Sequence, residues 1–344
     1  MIDSPTVAAT RGATRVSTTQ LAIAGRVLSP QRPRAVQVNN QEARLNPDGS
    51  FVAQVPIERG ENRITVVAWL AQDEFIPAAF TVVGTPNDEL GAIGQRYALV
   101  IGIQNYQDTN FSRLSTPHDD ANAVAQLLER RYGFTLQLPT AGGGSRPLLL
   151  RDAGKQEMER TLSALRHVLR PEDSLLIYFA GHGVYEKETR KAYWLPVDAE
   201  QEEPSTWLDA ETVAVAIQRL NVRHVLVVAD SCFAGAVQLR SAEAGVSGSQ
   251  DRQNFLTQRM TRPSRQYMTA GANEPVLDGG GGGHSIFARS FLDALRNAKQ
   301  PLTASELYAN HLAPEVGGQA RQQPQLSQMK EHDGGDLVFF PQGK

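Results

Sequence analysis

Three short runs of the chain are apolar at nearly every position, and no other feature limits the fold as tightly. They are Ala-Leu-Val-Ile-Gly-Ile at 98–103, Ser-Leu-Leu-Ile-Tyr-Phe-Ala at 174–180 and His-Val-Leu-Val-Val-Ala at 224–229. None alternates with period two, so each reads as a strand covered on both faces, as in a mostly parallel sheet between helices. Helical faces fall between the runs. Residues 119–131 align Ala121, Val124, Ala125, Leu127 and Leu128. Residues 156–169 align Met158, Leu162, Leu165, Val168 and Leu169 and stop before Pro171, and 208–220 form a third amphipathic segment. Further on, 266–269 reads as a strand, and 285–295 and 303–312 as helices. The pattern predicts an α/β domain with a mostly parallel sheet flanked by helices.

The first quarter of the chain follows a different rhythm. Leu21 and Ile23, Val36 and Val38, then Phe51, Ala53, Val55 and Ile57, then Ile64, Val66 and Ala68 alternate with polar neighbours. Asn39-Asn40, Asn46-Pro-Asp-Gly49 and Gly60 punctuate them. Short alternating strands with regular turns predict a small all-β sandwich over 17–84, behind a loose lead-in at 1–16. The layout resembles the immunoglobulin-like modules of bacterial multidomain proteins. Residues 85–95, with Pro86, Gly91 and Gly94, read as a linker, which leaves 96–344 for the α/β domain.

Composition excludes several classes. With 41% hydrophobic and 21% charged residues the chain is globular, and a formal net charge of -3 offers no polybasic surface for nucleic acid or membrane. No apolar run reaches the ~18 residues of a membrane span. The first thirty residues show no apolar signal core, so no signal peptide is expected. One cysteine among 344 residues cannot form an internal disulfide, so the lone thiol calls for another explanation.

That thiol sits where function is expected. The 174–180 strand runs into Gly181-His182-Gly183, and the 224–229 strand into Asp230-Ser231-Cys232-Phe233-Ala234-Gly235. Ligands of open α/β sheets bind beyond the carboxyl ends of the strands. Taken singly, a lone Cys is usually a small buried hydrophobe and a lone His a surface residue. Taken together, each on a glycine-bounded turn after a buried strand, they read as a nucleophile and its acid/base partner. The backbone N–H groups of Gly183 and Cys232 are the expected oxyanion donors. Such a layout belongs to a cysteine hydrolase of acyl bonds.

Tyr178-Phe-Ala-Gly-His-Gly183 and Asp230-Ser-Cys-Phe-Ala-Gly235 resemble the two catalytic motifs of caspase-like peptidases, closest to the metacaspase and bacterial orthocaspase branch. The His-to-Cys separation matches the spacing of about 50 residues found in caspases. Residues 97–106, Leu114 with His118-Asp-Asp-Ala121, and Gly283-His-Ser-Ile-Phe287 join the resemblance, which covers about 96–340. It implies a caspase-like fold and a peptidase with Cys232 as nucleophile and His182 as general acid/base. Asp-Ser-Cys-Phe-Ala-Gly departs from the Gln-Ala-Cys-Arg-Gly type that accompanies cleavage after aspartate. In the metacaspase branch the corresponding carboxylates form an acidic S1 pocket, a role that falls on Asp120 and Asp230. The expected substrate is therefore a protein or peptide with Arg or Lys at P1. Without a cation between them, two such carboxylates are expected to be poorly satisfied. The alternative roles are a helix cap for Asp120 and a turn for Asp230. Ala180 stands where many relatives have a serine, so one hydrogen bond beside the pocket is expected to be missing.

No cofactor is expected. The positions that bind calcium in relatives carry Ala192-Tyr-Trp194 and Ala236-Val-Gln-Leu239, and Asp198 and Asp209 alone fall short of the 6–8 oxygens calcium takes. His118-Asp119-Asp120 is a weak metal motif, and the expectation is calcium independence with no metal ligands. The polar stretch 240–265 reads as a long loop of the processing type, with Arg240, Arg252, Arg259, Arg262 and Arg265 as candidate self-cleavage sites; a solvated loop without function is the alternative. The sandwich reads as a docking, positioning or inhibitory module. Two rivals stand beside this reading: a caspase-like scaffold without turnover, and an Asp-specific peptidase. A catalytic thiol favours the cytoplasm, whereas sandwich modules are common on exported proteins.

Overall fold

The computed structural model describes residues 2–4, 14–16, 20–58, 60–70, 74–84, 94–231, 240–241, 249–271, 282–319 and 322–342. The chain divides into two compact units, Met1–Ala92 and Ile93–Gln342.

The first unit is all β. One sheet holds Ile2–Ser4, Gln20–Arg26, Ser50–Pro56 and Arg44–Leu45 in that spatial order. The other holds Thr14–Val16, Phe75–Gly84, Gly60–Trp69, Ala35–Val38 and Gln41–Glu42. Both sheets feed one core, with Ile23, Phe51 and Val55 from the first and Val36, Val38, Ile64, Val66 and Val82 from the second. Period-two alternation makes this possible: Phe51, Ala53 and Val55 turn inward while Val52 and Gln54 face water. Asn39 and Asn40 carry φ of 50° and 64°, the left-handed pair that a two-residue hairpin demands. The lead-in is not loose throughout. Ile2–Ser4 pairs with Gln20–Arg26, and Thr14–Val16 runs parallel to the end of Phe75–Gly84. Three-residue strands are too short to show alternation in the sequence.

The second unit is the α/β domain. Its sheet contains β1 (Arg96–Gly102), β2 (Leu149–Arg151), β3 (Ser174–Ala180), β6 (His224–Asp230), β7 (Ser264–Thr269) and β8 (Gln325–Gln328), and β3 is followed by a hairpin of β4 (Gly183–Glu186) and β5 (Lys191–Trp194). The spatial order is β2-β1-β3-β6-β7-β8, parallel up to β7 and antiparallel at β8, with Arg240–Ser241 paired outside β8. Alternate residues of β3 and β6 enter different cores. Leu176, Tyr178, Leu226 and Val228 pack under α1 (Pro117–Tyr132) and α5 (Ile286–Asn297). Leu175, Ile177, Phe179, Val225 and Val227 pack under α2 (Lys155–Val168) and α3 (Ala210–Gln218). Two apolar faces per strand explain why the sequence runs carry no polar alternation.

The 240–265 stretch corrects the sequence reading. It contains α4 (Ser249–Thr261) and the start of β7 rather than one open loop. Arg252 forms an ion pair with Glu306 and donates to the Pro301 carbonyl at 2.7 Å. The Arg259 guanidinium donates to the Gly334 carbonyl at 2.8 Å and lies over the Phe255 ring. Arg265 is 5% exposed, and its guanidinium caps the carbonyls of Leu220, Val222, Arg223 and Ser264. The Arg262 carbonyl is packed tightly against Gly335, and Arg240 lies in a β-ladder with Gln328. A peptidase needs an accessible, extended strand of substrate, and these five arginines sit in helix, sheet or packed turn instead. The side chains of Arg252, Arg259 and Arg265 also make structural bonds that a polar composition does not reveal.

The Glu331–Asp336 stretch closes over the same region. Asp336 is fully buried and accepts from the Ala304 and Ser305 amides at 3.1 and 3.3 Å, yet burial pushes its pKa up to about 6. Its unfolded value is near 3.9, so folding favours the protonated form, and that contribution fades as pH rises through about 6. Asp336→Asn mimics the neutral carboxyl. Thermal melts should show the variant gaining on the parent by roughly 2 kcal/mol between pH 4 and 7; parallel curves would mean that the carboxyl is not perturbed.

Candidate active site

The carboxyl ends of β3 and β6 lie side by side, with Ala180 paired to Asp230. Beyond Ala180 the chain turns through Gly181, where a Cβ would come within 3.1 Å of the Tyr106 hydroxyl. That close approach lets the Tyr106 oxygen accept the His182 N–H at 2.7 Å, with the two rings 4.9 Å apart. Phe111 flanks the imidazole at 6.3 Å. His182 Nε2 lies 2.8 Å from the Ser112 carbonyl oxygen and 3.3 Å from the Ser112 hydroxyl. A carbonyl can only accept, so Nε2 carries the hydrogen and Nδ1 keeps its lone pair. The ring is thus half-buried, oriented by aromatic neighbours, and set as a proton acceptor on its Nδ1 side. Gly183 opens β4 directly after it. Cys232, the predicted nucleophile, lies outside the described residues.

Asp120 and Asp230, drawn from α1 and the last position of β6, converge on one residue. Asp120 is 1% exposed, and its carboxylate takes the His284 Nδ1 at 2.6 Å, the Ser285 amide at 3.3 Å and a bond from the Thr116 side chain. Asp230 is 5% exposed and accepts from the Tyr178 hydroxyl at 3.2 Å and the Ser285 hydroxyl at 2.5 Å. Ser285 Oγ also accepts from the Ala288 amide at 2.8 Å, so the residue that caps α5 bridges both carboxylates. Burial raises the Asp120 pKa despite these bonds. Tyr178 lies well above its ordinary range, first through burial and then through the nearby charges of Asp230 and Asp120. Gly282 and Gly283, at φ of 75° and 83°, make the left-handed turn that aims His284 back at α1.

Several expectations change here. The expectation of poorly satisfied carboxylates holds in part: an imidazole, a serine, a tyrosine and a threonine meet the pair, while among the described residues Asp230 Oδ1 is buried without a hydrogen bond and burial raises the Asp120 pKa. Asp120 is not the cap of its helix, which begins at Pro117 after Thr116. His118 and Asp120 diverge, for His118 Nε2 lies 2.9 Å from Asp152 while Asp120 faces His284. Asp198 accepts the Lys155 amide at 2.9 Å, and Asp209 caps α3 through the Glu211 amide at 2.8 Å while pairing with Lys191. Among the described residues no group of three or more His, Cys, Asp or Glu side chains is placed to hold a metal ion, and no helix is long and apolar enough to cross a membrane.

Sequence reasoning passed over Tyr106, Ser112, Tyr178, His284 and Ser285 as site residues. Ser285 was legible in part as the start of a helix. Its second role, and those of the others, depend on which segments the topology brings to one edge.

An α/β sheet with a histidine and a pair of buried carboxylates at its carboxyl edge agrees with what sequence comparison finds. Residues 95–333 match the caspase domain family, and the chain belongs to it. Members are cysteine-type peptidases, which makes a protein or peptide the substrate class. No curated protein is significantly similar in sequence. Among solved structures, a protein from Geobacter sulfurreducens aligns at 15% identity over 71% of this chain and 100% of its own, with a TM-score of 0.45. Caspase-1 from Spodoptera frugiperda aligns at 10% identity over 69% of this chain and 87% of its own, with a TM-score of 0.42.

Ser285→Ala removes a helix cap and one hydrogen bond from a buried carboxylate at once. Each change costs about 1–2 kcal/mol, so chemical denaturation should show a loss of roughly 2–4 kcal/mol, whereas Ser285→Thr should retain most of the stability. A loss below 0.5 kcal/mol for the alanine variant, on the order expected of a neutral surface change, would contradict the bridging role.

Proposed function

We propose that this chain is a cysteine endopeptidase that cleaves after Arg or Lys, with Cys232 as nucleophile and His182 as acid/base. The convergence of Asp120 and Asp230 on Ser285, at the sheet edge that also carries His182, is the observation that supports it most. Two carboxylates at the bottom of a P1 site favour a cationic side chain, and a guanidinium could bind them through paired hydrogen bonds. His284 Nδ1 now sits on Asp120, and a P1 cation would take over that place. The Asp230 and Asp120 charges would repel an aspartate at P1.

In the reaction, the Cys232 thiol gives its proton to His182 Nδ1, and the sulfur attacks the scissile carbonyl. The Gly183 and Cys232 amides would hold the oxyanion. As the C–N bond breaks, Nδ1 returns the proton to the departing amine and a thioester remains. Water then loses a proton to His182 and attacks the thioester; the sulfur leaves and takes that proton back, which frees the acid product and restores the thiol. The Nε2–H bond to the Ser112 carbonyl would hold the ring in place and stabilise the imidazolium formed on the way. Asp198 and Asp209 are already committed to helix starts, which supports calcium-independent activity. The sandwich resembles an immunoglobulin-like docking module, a role supported by the exposed apolar side chains of Leu28, Val52, Phe75 and Ile76.

Fluorogenic peptides ending in Arg, Lys or Asp, assayed with and without calcium, test the reading. Turnover after Arg or Lys should be unaffected by a chelator and fall by about 100-fold or more in Cys232→Ala and His182→Ala. Cleavage after Asp, or undiminished turnover in Cys232→Ala, would overturn it. Acid should weaken binding as well. Because the Asp120 carboxyl titrates above the ordinary range of about 4, KM for an Arg substrate should climb as pH falls from neutrality, before an ordinary carboxylate would protonate. A flat KM down to pH 4 would show that Asp120 does not hold the P1 cation.

A further inference from the structure

A second groove touches His182 on the side away from Asp120 and Asp230. Its lining includes Asn110, Phe111, Val184, Gln201, Glu202 and Trp207 together with His182 itself. The two carboxylates belong to the sheet face covered by α1 and α5, for Asp230 continues the side of Val228, and Asp120 and Ser285 come from those helices. The groove belongs to the other face. Its apolar floor, Phe111, Val184 and Trp207, joins a cluster with Leu195, Ala199 and Tyr193. The β5 residue next to Leu195, Trp194, stacks on Phe179 of the α2/α3 core with ring centroids 4.5 Å apart. His182 stands between the two sites.

The walls are held by bonds across the groove's base. Asp108 accepts the Gln201 amide at 2.8 Å, which ties the 108–112 loop to the 200–203 turn. Gln107 donates its amide to the Val197 carbonyl at 2.9 Å, and the Trp207 indole donates to the Glu200 carbonyl at 2.8 Å. The groove is therefore a built surface rather than a chance gap between mobile loops.

We infer that this groove binds the leaving side of the substrate, with an apolar side chain directly after the scissile bond and a basic residue following it. The inference rests on the peptidase reading and extends it. His182 protonates the departing amine, so that amine lies against the imidazole, and the residues attached to it continue away from the P1 site. Among the described residues, this groove offers open surface in that direction. Phe111, Val184 and Trp207 offer the first of these residues an apolar bed. Glu202, exposed at the rim beside Glu200 and Glu203, gives the next one a negative field, which Asp108 reinforces.

Matched peptides with Arg at P1, followed by Leu-Lys, Ser-Lys, Leu-Glu or Ser-Glu, test this alongside an Arg aminocoumarin amide that lacks a leaving segment. The Leu-Lys peptide should exceed Ser-Glu in kcat/KM by about tenfold or more, as an apolar subsite and a charge contact together allow. Glu202→Lys should erase or invert the Lys-over-Glu preference, and Val184→Ser should shrink the Leu-over-Ser preference; each is read as a ratio within one variant, so a general loss of activity cancels. Equal rates for all four peptides, or preferences unchanged in both variants, would overturn the inference while hydrolysis of the coumarin amide left the peptidase reading standing. No turnover of any substrate, the amide included, would overturn both.

Discussion

Asp120 and Asp230 are almost sealed from water, and the site is arranged around the cost of keeping two carboxylates there. An unpaired buried charge is among the most expensive features a fold can carry. Donors therefore arrive from separate elements: Tyr178 from β3, Ser285 and His284 from the entry to α5, and Thr116 from the start of α1. Ser285 contributes most, because one side chain caps a helix and joins the two acids. Remove it, and α5 loses its first-turn partner while Asp230 loses a 2.5 Å bond. The same four segments meet only because β3 and β6 are neighbours and end at the same level. Sheet register and site chemistry are one constraint.

His182 is governed by a different force. Its imidazole takes its bearings from aromatic faces and from a backbone carbonyl, with no carboxylate among its hydrogen-bond partners in the described residues. A carbonyl fixes the tautomer as firmly as a carboxylate does, but it adds no full negative charge. A histidine oriented this way donates through Nε2 and leaves Nδ1 as the nitrogen that can accept and return a proton. Caspase family membership and this ring geometry point in the same direction for independent reasons: one comes from sequence likeness over 95–333, the other from hydrogen-bond direction.

Much of the fold was legible in the sequence because its strongest signals are local. A strand buried on both faces must be apolar throughout, and β3 begins and ends where the apolar run does. His182 and Asp230 could be placed at the functional edge because they end such runs. The arginines of 240–265 misled for the complementary reason. Arg265 caps four carbonyls and Arg252 meets Glu306, and neither partner is near in sequence. Polar composition marks a loop only when the polar groups find water, and these find protein. His284 entered the sequence reading only as part of Gly283-His-Ser-Ile-Phe287, since nothing in the linear text says that α1 lies opposite. The short strands Ile2–Ser4 and Thr14–Val16 escaped because three residues hold no period.

The central claim is that a reactive Cys232 and a cation-selective acidic site share one sheet edge. Affinity labelling tests it most directly: the protein is exposed to matched peptidyl chloromethyl ketones ending in Arg or in Asp, and the adduct is located by mass spectrometry. The account predicts rapid, stoichiometric addition of the Arg reagent at Cys232, slow addition of the Asp reagent, and protection by a competing Arg peptide. Faster labelling by the Asp reagent, or an intact thiol after prolonged exposure to the Arg reagent, would contradict it.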